Sequence, residues 1–187
     1  MPTEKLYYQD AYLREFTAQV LSKTALADGK FAVVLDRTAF YPEGGGQPCD
    51  LGTLNQAPVI DVRTVNEEIV HTTAVDPGEG RLTGRLDWQR RFDHMQQHSG
   101  EHILSGILLA HYQAENVGFH LSPASCQIDV TLPSLTAEQA SAIEQLTASI
   151  GLVASQTKDN ALNANQANTL ALSAKETAEE GNTKMKE

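Results

Sequence analysis

One segment of the sequence carries histidines at regular four-residue intervals. The segment HMQQHSGEHIL, residues 94–104, contains His94, His98 and His102, with Glu101 directly before the last of them. On a helix, His98 and His102 share a face and can direct both imidazoles at one ion. Because paired helical histidines bind zinc, the spacing favours a metal site at this pair, with a row of surface histidines as the alternative. His94 is rotated by about 40° for each four-residue step and fits a neighbouring or substrate-facing position better.

Glu101 gives the same segment a second interpretation. The letters HSGEH satisfy the H-x-x-E-H pattern of inverzincin metallopeptidases, in which the glutamate is the general base. Such a site needs a further acidic ligand, for which Glu138 and Glu144 are candidates. Because only three of the five positions are fixed, chance matches are common. A peptidase is therefore the less favoured alternative, and Glu101 is more simply interpreted as a solvated or hydrogen-bonded helix residue.

A glycine-rich segment, YPEGGGQP, could form a binding loop. Gly44, Gly45 and Gly46 permit positive φ and let a ligand approach the peptide N–H groups closely. Gln47 adds a side chain with both a donor and an acceptor, held between glycine and proline. A hairpin loop that binds nothing would use the same residues, so the loop alone does not decide its role.

Composition and charge limit the class of protein. The chain has 187 residues, 41% of them hydrophobic, and a net charge of −10, which argues against generic nucleic-acid binding. A local cluster that includes Arg90 and Arg91 is an exception that could meet phosphates. No run approaches the roughly 18 apolar residues of a membrane span, and the first residues do not read as a signal peptide. We expect a cytoplasmic protein that does not contact membranes.

The pattern of apolar residues predicts an α+β fold. Short strand-like runs with turn signals between them fill residues 15–88, which predicts a small antiparallel β-barrel over residues 1–87. Helical spacing begins at Trp88, with Asp87 as its N-cap, and two short strands follow. A second helix is predicted over residues 134–146, and residues 148–187 read as a flexible or weakly helical, low-complexity tail that could be non-native.

Three segments together resemble a known family. RTAFYPEGGGQPCDLGTL, RFDHMQQHSGEHILSGIL and GFHLSPASCQIDV are similar, in this order, to the freestanding alanyl-tRNA editing proteins (AlaX type) and to the editing domain of alanyl-tRNA synthetase. The resemblance implies a β-barrel followed by an α+β editing domain, of which residues 88–147 would be a part. It also implies hydrolysis of the ester that joins serine, or in some members glycine, to the alanine tRNA.

The resemblance implies roles for individual residues as well. His98 and His102 would be zinc ligands and, together with Gln47, the catalytic residues. Residues 44–47 would lie near the editing pocket and contribute to the discrimination between serine and alanine. Arg90 and Arg91 would lie where the acceptor end of the tRNA approaches.

The chain departs from the family pattern at the remaining zinc ligands. The family completes its site with a downstream C-x-x-x-H motif, whereas Cys126 is followed four residues later by Val130. We therefore expect an incomplete zinc site and an incomplete editing protein, with Cys126 or His120 as the first substitutes to test. The sequence leaves open whether the chain is an active deacylase or a non-catalytic tRNA-binding or interaction module with the same fold.

Overall fold

The chain folds into an α+β structure whose strands are mostly antiparallel, as the sequence predicts. A computed structural model describes residues 3–122, 125–132, 134 and 136–184. The strands are β1 Glu4–Lys5, β2 Glu15–Ala25, β3 Phe31–Leu35, β4 Arg37–Thr38, β5 Gly52–Leu54, β6 Ala57–Val65, β7 Glu68–Thr73, β8 Arg81–Leu86, β9 Asn116–Leu121 and β10 Cys126–Val130. The helices are α1 Trp88–Tyr112 and α2 Ala137–Lys184, besides a short 3-10 turn at Leu6–Tyr8. The chain divides into two compact units, Met1–Leu132 and Pro133–Glu187.

Six strands of the first unit form a closed barrel. They pair in the order β2-β3-β7-β6-β5-β8, every pair is antiparallel, and β8 returns to pair with β2. Alternate side chains of β8 are buried, since successive residues of a strand point to opposite faces. The barrel interior holds a set of fully or nearly fully buried apolar side chains: Val33, Leu35, Phe40, Leu54, Val59, Val62, Ile69 and Leu82. Outside the barrel, β1 and β4 form a short parallel pair.

Helix α1 begins where the barrel ends. Asp87 caps it as predicted, because its side chain accepts a hydrogen bond from the backbone N–H of Arg90 at 3.2 Å. Gln113 ends the helix in the left-handed conformation, with φ of 53°. The chain then forms the antiparallel hairpin of β9 and β10, which contacts α1. The hairpin strands agree with the two strands predicted in this region, although residues 123 and 124 of the predicted segment lie outside the described residues.

Helix α2 makes up most of the second unit. The predicted capping box is present: the backbone N–H of Thr136 donates to Gln139 Oε1 at 2.9 Å, and that of Gln139 donates to Thr136 Oγ1 at 3.2 Å. The predicted end of this helix at Leu146 is wrong, because the helix continues to Lys184. The segment is rich in alanine, the strongest helix former, and contains no proline. Residues 185–187 of the predicted tail lie outside the described residues.

In the part of the chain that the structure describes, neither helix has a stretch that is both long and apolar enough to cross a lipid bilayer.

Candidate functional site

Two imidazoles of α1 converge at one point. Nε2 of His98 lies 2.9 Å from Nε2 of His102, and the two ring centroids are 4.7 Å apart. His98 is half-buried and His102 is exposed. The four-residue spacing thus produces the shared face that the sequence predicts. With Glu101, these residues form a group whose potential ligand atoms all lie within 4.8 Å of one another.

Gln47 connects the glycine loop to the histidine pair. Nδ1 of His98 and Oε1 of Gln47 are 2.7 Å apart. Because a carboxamide oxygen can only accept, Nδ1 carries the hydrogen of this bond. Nε2 of His98 therefore keeps its lone pair and directs it toward His102. This is the arrangement by which a neighbouring acceptor orients an imidazole for metal binding.

The glycine loop is shaped by its own backbone and by the hairpin. Gly44 and Gln47 exchange two backbone hydrogen bonds, each 3.1 Å long, around Gly45 and Gly46 with φ of +60° and +80°. The carbonyl of Gly46 accepts from the backbone N–H of Leu121 at 2.8 Å. A Cβ atom at Gly46 would lie only 1.9 Å from the carbonyl oxygen of Phe119, so only glycine fits there.

The first two glycines have different surroundings. A Cβ atom at Gly44 or Gly45 would meet none of the described atoms within 4 Å, and both residues are exposed. This side of the loop is therefore open to a ligand.

Glu101 is buried behind the pair, with an exposed fraction of 4%. Its Oε1 accepts hydrogen bonds from Ser105 Oγ at 2.6 Å and from Asn116 Nδ2. Its Oε2 lies 3.2 Å from Nδ1 of His102, on the opposite side of that ring from Nε2. The expectation of a solvated or hydrogen-bonded helix residue is therefore confirmed in its second form, since Glu101 is hydrogen-bonded and buried.

The geometry does not favour a peptidase. A general base must reach a water at the metal, but Oε1 of Glu101 accepts from Ser105 and Asn116, and Oε2 lies against Nδ1 of His102, the ring nitrogen that does not face His98. The proposed acidic ligands Glu138 and Glu144 lie on α2, in the second unit of the chain.

Arg91 is committed to the protein interior. It is 4% exposed, and its Nε donates to both carboxylate oxygens of Asp50 at 2.9 Å. Nη2 donates to Asp50 and to the carbonyl of Ala39, and Nη1 donates to the carbonyl of Ala11 at 3.1 Å. Its burial disfavours the tRNA contact predicted from the sequence, because each of its three nitrogens already has a protein acceptor.

Arg90 also turns toward the protein. Its Nε and Nη2 donate to the carbonyl of Cys49 at 3.3 and 3.2 Å, and the residue is half-buried. Both arginines therefore attach α1 to the segment that follows the glycine loop.

Neither predicted substitute ligand joins the histidine pair. The ligand group found among the described residues contains neither Cys126 nor His120. Desolvation and the nearby carboxylate of Glu101 raise the pKa of the Cys126 thiol, which favours the protonated form. His94, one helical turn before His98, is buried, and burial and the charge of Arg90 lower its pKa, so that its neutral form is favoured.

The sequence of this chain is similar to those of several known proteins. Residues 2–89 match the model of the class II tRNA synthetases (A). The chain is 39% identical over 155 residues to the alanyl-tRNA editing protein Aarsd1 of Rattus norvegicus, covering 75% of this chain and 37% of that protein. It is 43% identical over 156 residues to the alanine–tRNA ligase of Pyrobaculum neutrophilum, covering 77% of this chain and 17% of the ligase.

The chain is similar to the alanyl-tRNA editing proteins. The resemblance found in the sequence is thereby confirmed for about three-quarters of the chain. The chain spans little more than a third of the length of the alanyl-tRNA editing proteins that it matches.

Proposed function

We propose that this relative of the alanyl-tRNA editing proteins acts on alanine tRNA that carries the wrong amino acid. The reaction is hydrolysis of the ester bond of Ser-tRNA, with Gly-tRNA as a second substrate, at a zinc site on His98 and His102. The observation that carries the proposal is the convergence of the two Nε2 atoms beside Gln47. A cytoplasmic location fits a protein that acts on charged tRNA.

The two imidazoles fit a zinc ion. Two ligand nitrogens on tetrahedral zinc lie about 3.3 Å apart, given zinc–nitrogen distances of about 2.0–2.1 Å. The two Nε2 atoms are 2.9 Å apart, so a shift of a few tenths of an ångström would let both bind one ion. When bound, the ion would supply Lewis acidity toward the ester carbonyl or a water. Two nitrogens without further ligands hold zinc weakly, so we expect weak binding.

The residues of the chain supply positioning and access. Gln47 holds the ring of His98 in place, and the exposed Gly44 and Gly45 let a substrate approach the loop backbone closely. Serine differs from alanine by one hydroxyl group. A site with fixed polar groups can hold that hydroxyl, whereas a pocket that selects by shape alone rejects such a near-isostere poorly.

The direct test is release of the amino acid from labelled tRNA. With Zn²⁺ present, we expect the full chain to release serine from Ser-tRNA faster than alanine from Ala-tRNA, and His98→Ala to abolish the difference. Asp93→Asn, a change on the same helix outside the ligand group, is the matched control. Zinc-independent release, or equal rates for both tRNAs, would contradict the proposal.

A non-catalytic tRNA-binding module is the second candidate. This candidate is favoured because the group of His98, Glu101 and His102, found among the described residues, offers a metal nitrogen ligands only from its two imidazoles. This candidate predicts that the tRNA binds in a gel-shift assay while serine release stays at the buffer rate.

A further inference from the structure

The charge of Glu101 is buried with little compensation. Moving an ionised carboxylate out of water costs several kcal/mol of free energy unless hydrogen-bond or charged partners replace its hydration. Within the described part of the chain, its only ion-pair partner is His102. The two arginines earlier on α1 are engaged elsewhere, Arg90 with the carbonyl of Cys49 and Arg91 with Asp50. The negative charge is therefore directed at His102 and at whatever cation that ring binds.

The carboxylate is held in place by two neutral side chains. Ser105 Oγ and Asn116 Nδ2 both donate to Oε1, and Asn116 Nδ2 also lies 2.9 Å from Ser105 Oγ as a donor. Asn116 itself is fixed, because its Oδ1 accepts from the backbone N–H of Gly118 at 3.0 Å. These contacts fix one oxygen of Glu101 and leave Oε2 facing Nδ1 of His102.

The position of Oε2 determines which ring nitrogen of His102 is free. An ionised carboxylate accepts hydrogen bonds and cannot donate one. At 3.2 Å from Oε2, Nδ1 of His102 is stabilised when it carries a hydrogen. Its Nε2, the atom that faces His98, is then the nitrogen available to a metal.

We propose that Glu101 is a positioning residue for the cation site. Through Nδ1 of His102 it selects the ring form that offers Nε2, and its buried charge offsets part of the charge of the bound ion. Gln47 selects the ring form of His98 in the same way, so each imidazole has its own hydrogen-bond acceptor at Nδ1. The proposal rests on the cation site of the proposed function, but its claim about His102 can be measured without metal.

Glu101→Gln tests the proposal with almost no change of shape. A glutamine that keeps its carbonyl toward Ser105 and Asn116 presents an NH₂ group to His102, which requires Nδ1 to accept. We expect the ¹⁵N shift of His102 Nδ1 to change from a hydrogen-bearing to a hydrogen-free nitrogen. The affinity for Zn²⁺ in an NMR titration should fall about 10–100-fold, the usual effect of losing such a partner. Asp93→Asn removes one negative charge from the same helix and should change neither quantity.

Two further measurements keep the test decisive. Ser105→Ala keeps the carboxylate and should weaken zinc binding less than Glu101→Gln, with the hydrogen still on Nδ1. The wild-type spectrum needs no variant: a His102 with hydrogen on Nε2 and none on Nδ1 overturns the proposal. An unchanged zinc affinity in a folded Glu101→Gln variant overturns it as well. If the wild type binds no Zn²⁺ but Glu101→Gln still changes Nδ1, the proposed metal chemistry and the charge-offset role of Glu101 both fail, whereas its control of the ring form of His102 stands.

Discussion

The start and the middle of α1 are attached to the rest of the first unit in different ways. Near its start, Arg91 and Asp50 form an ion pair in which both residues are almost fully buried, at 4% and 1% exposed. Two turns later, His98 is held by one hydrogen bond to Gln47, and His102 is exposed. The first attachment has the character of a protein core, whereas the second leaves ring nitrogens accessible to a ligand.

The difference shows how the site is placed. Residue 47 contacts residue 98, whereas residues 49 and 50 contact residues 90 and 91, which come earlier in the helix. The loop segment and the helix therefore run in opposite directions. Because the buried ion pair fixes the helix against this segment, it also sets His98 opposite Gln47. The arginines contribute to the site by holding the helix.

Breaking the buried ion pair should have the largest effect. Arg91→Met leaves the Asp50 carboxylate buried without its partner, which is expected to lower the free energy of unfolding by about 3–5 kcal/mol. Urea denaturation measures this change. Arg85→Met is the matched control, because Arg85 pairs with Glu15 at the exposed surface and should lose about 1 kcal/mol or less. Equal losses of stability in the two variants would contradict the larger contribution that we expect from the buried ion pair.

His71 provides a test of burial in the barrel, where a histidine has no access to solvent. Its Nδ1 lies 3.1 Å from the carbonyl of Val33 and its Nε2 lies 2.8 Å from Thr38 Oγ1, and burial lowers its pKa from 6.5 to about 4. The unfolded chain takes up this proton near pH 6.5 and the folded chain only near pH 4. Stability is thus complete above about pH 6.5 and should fall by about 3 kcal/mol as the pH decreases to about 4.

Denaturation of the His71→Gln variant at several pH values measures that contribution. Its stability should depend less steeply on pH between 6.5 and 4 than that of the wild type. The same slope in both proteins would show that His71 does not titrate as its burial requires.

The glycine loop allows a comparison within three residues. Gly46→Ala places a methyl group against the Phe119 carbonyl in a left-handed backbone and is expected to reduce stability by about 1–3 kcal/mol or more. Gly44→Ala meets no described atom within 4 Å and should be nearly neutral for folding. Thermal unfolding of both variants measures the difference, and an equally stable Gly46→Ala variant would contradict the docking of the loop on β9.

The sequence predicted the features that depend on local spacing. The convergence of His98 and His102, the cap at Asp87 and the capping box at Thr136 each follow from residues within four positions of one another. The sequence leaves open whether residues 148–187 are flexible or weakly helical, because the segment combines low apolar content with many good helix formers, and the structure has a helix there up to Lys184.

Features that depend on distant partners were not predictable. Arg91 looks like a surface charge until Asp50, 41 positions away, is placed beside it. The burial of Glu101 likewise depends on Asn116, which reaches it from β9. The sequence shows two arginines close to a predicted N-cap and an aspartate after a proline-containing loop. This signal is too weak to identify the buried pair.

Removing the acceptor from Gln47 should have the smallest effect of these changes. Gln47→Ala leaves Nδ1 of His98 without its partner but keeps both imidazoles, so zinc binding should weaken about 10-fold with little change in stability. A zinc titration with a thermal melt as control checks both parts. An unchanged affinity would mean that the loop does not orient His98.

The most direct measurement follows the six histidines during a Zn²⁺ titration by ¹⁵N NMR. We expect the Nε2 signals of His98 and His102 to change together along one binding curve with a single dissociation constant, while His71 in the barrel stays unchanged. Zinc-induced changes confined to other histidines, such as His111 or His120, or changes in His98 without His102, would contradict a shared cation site.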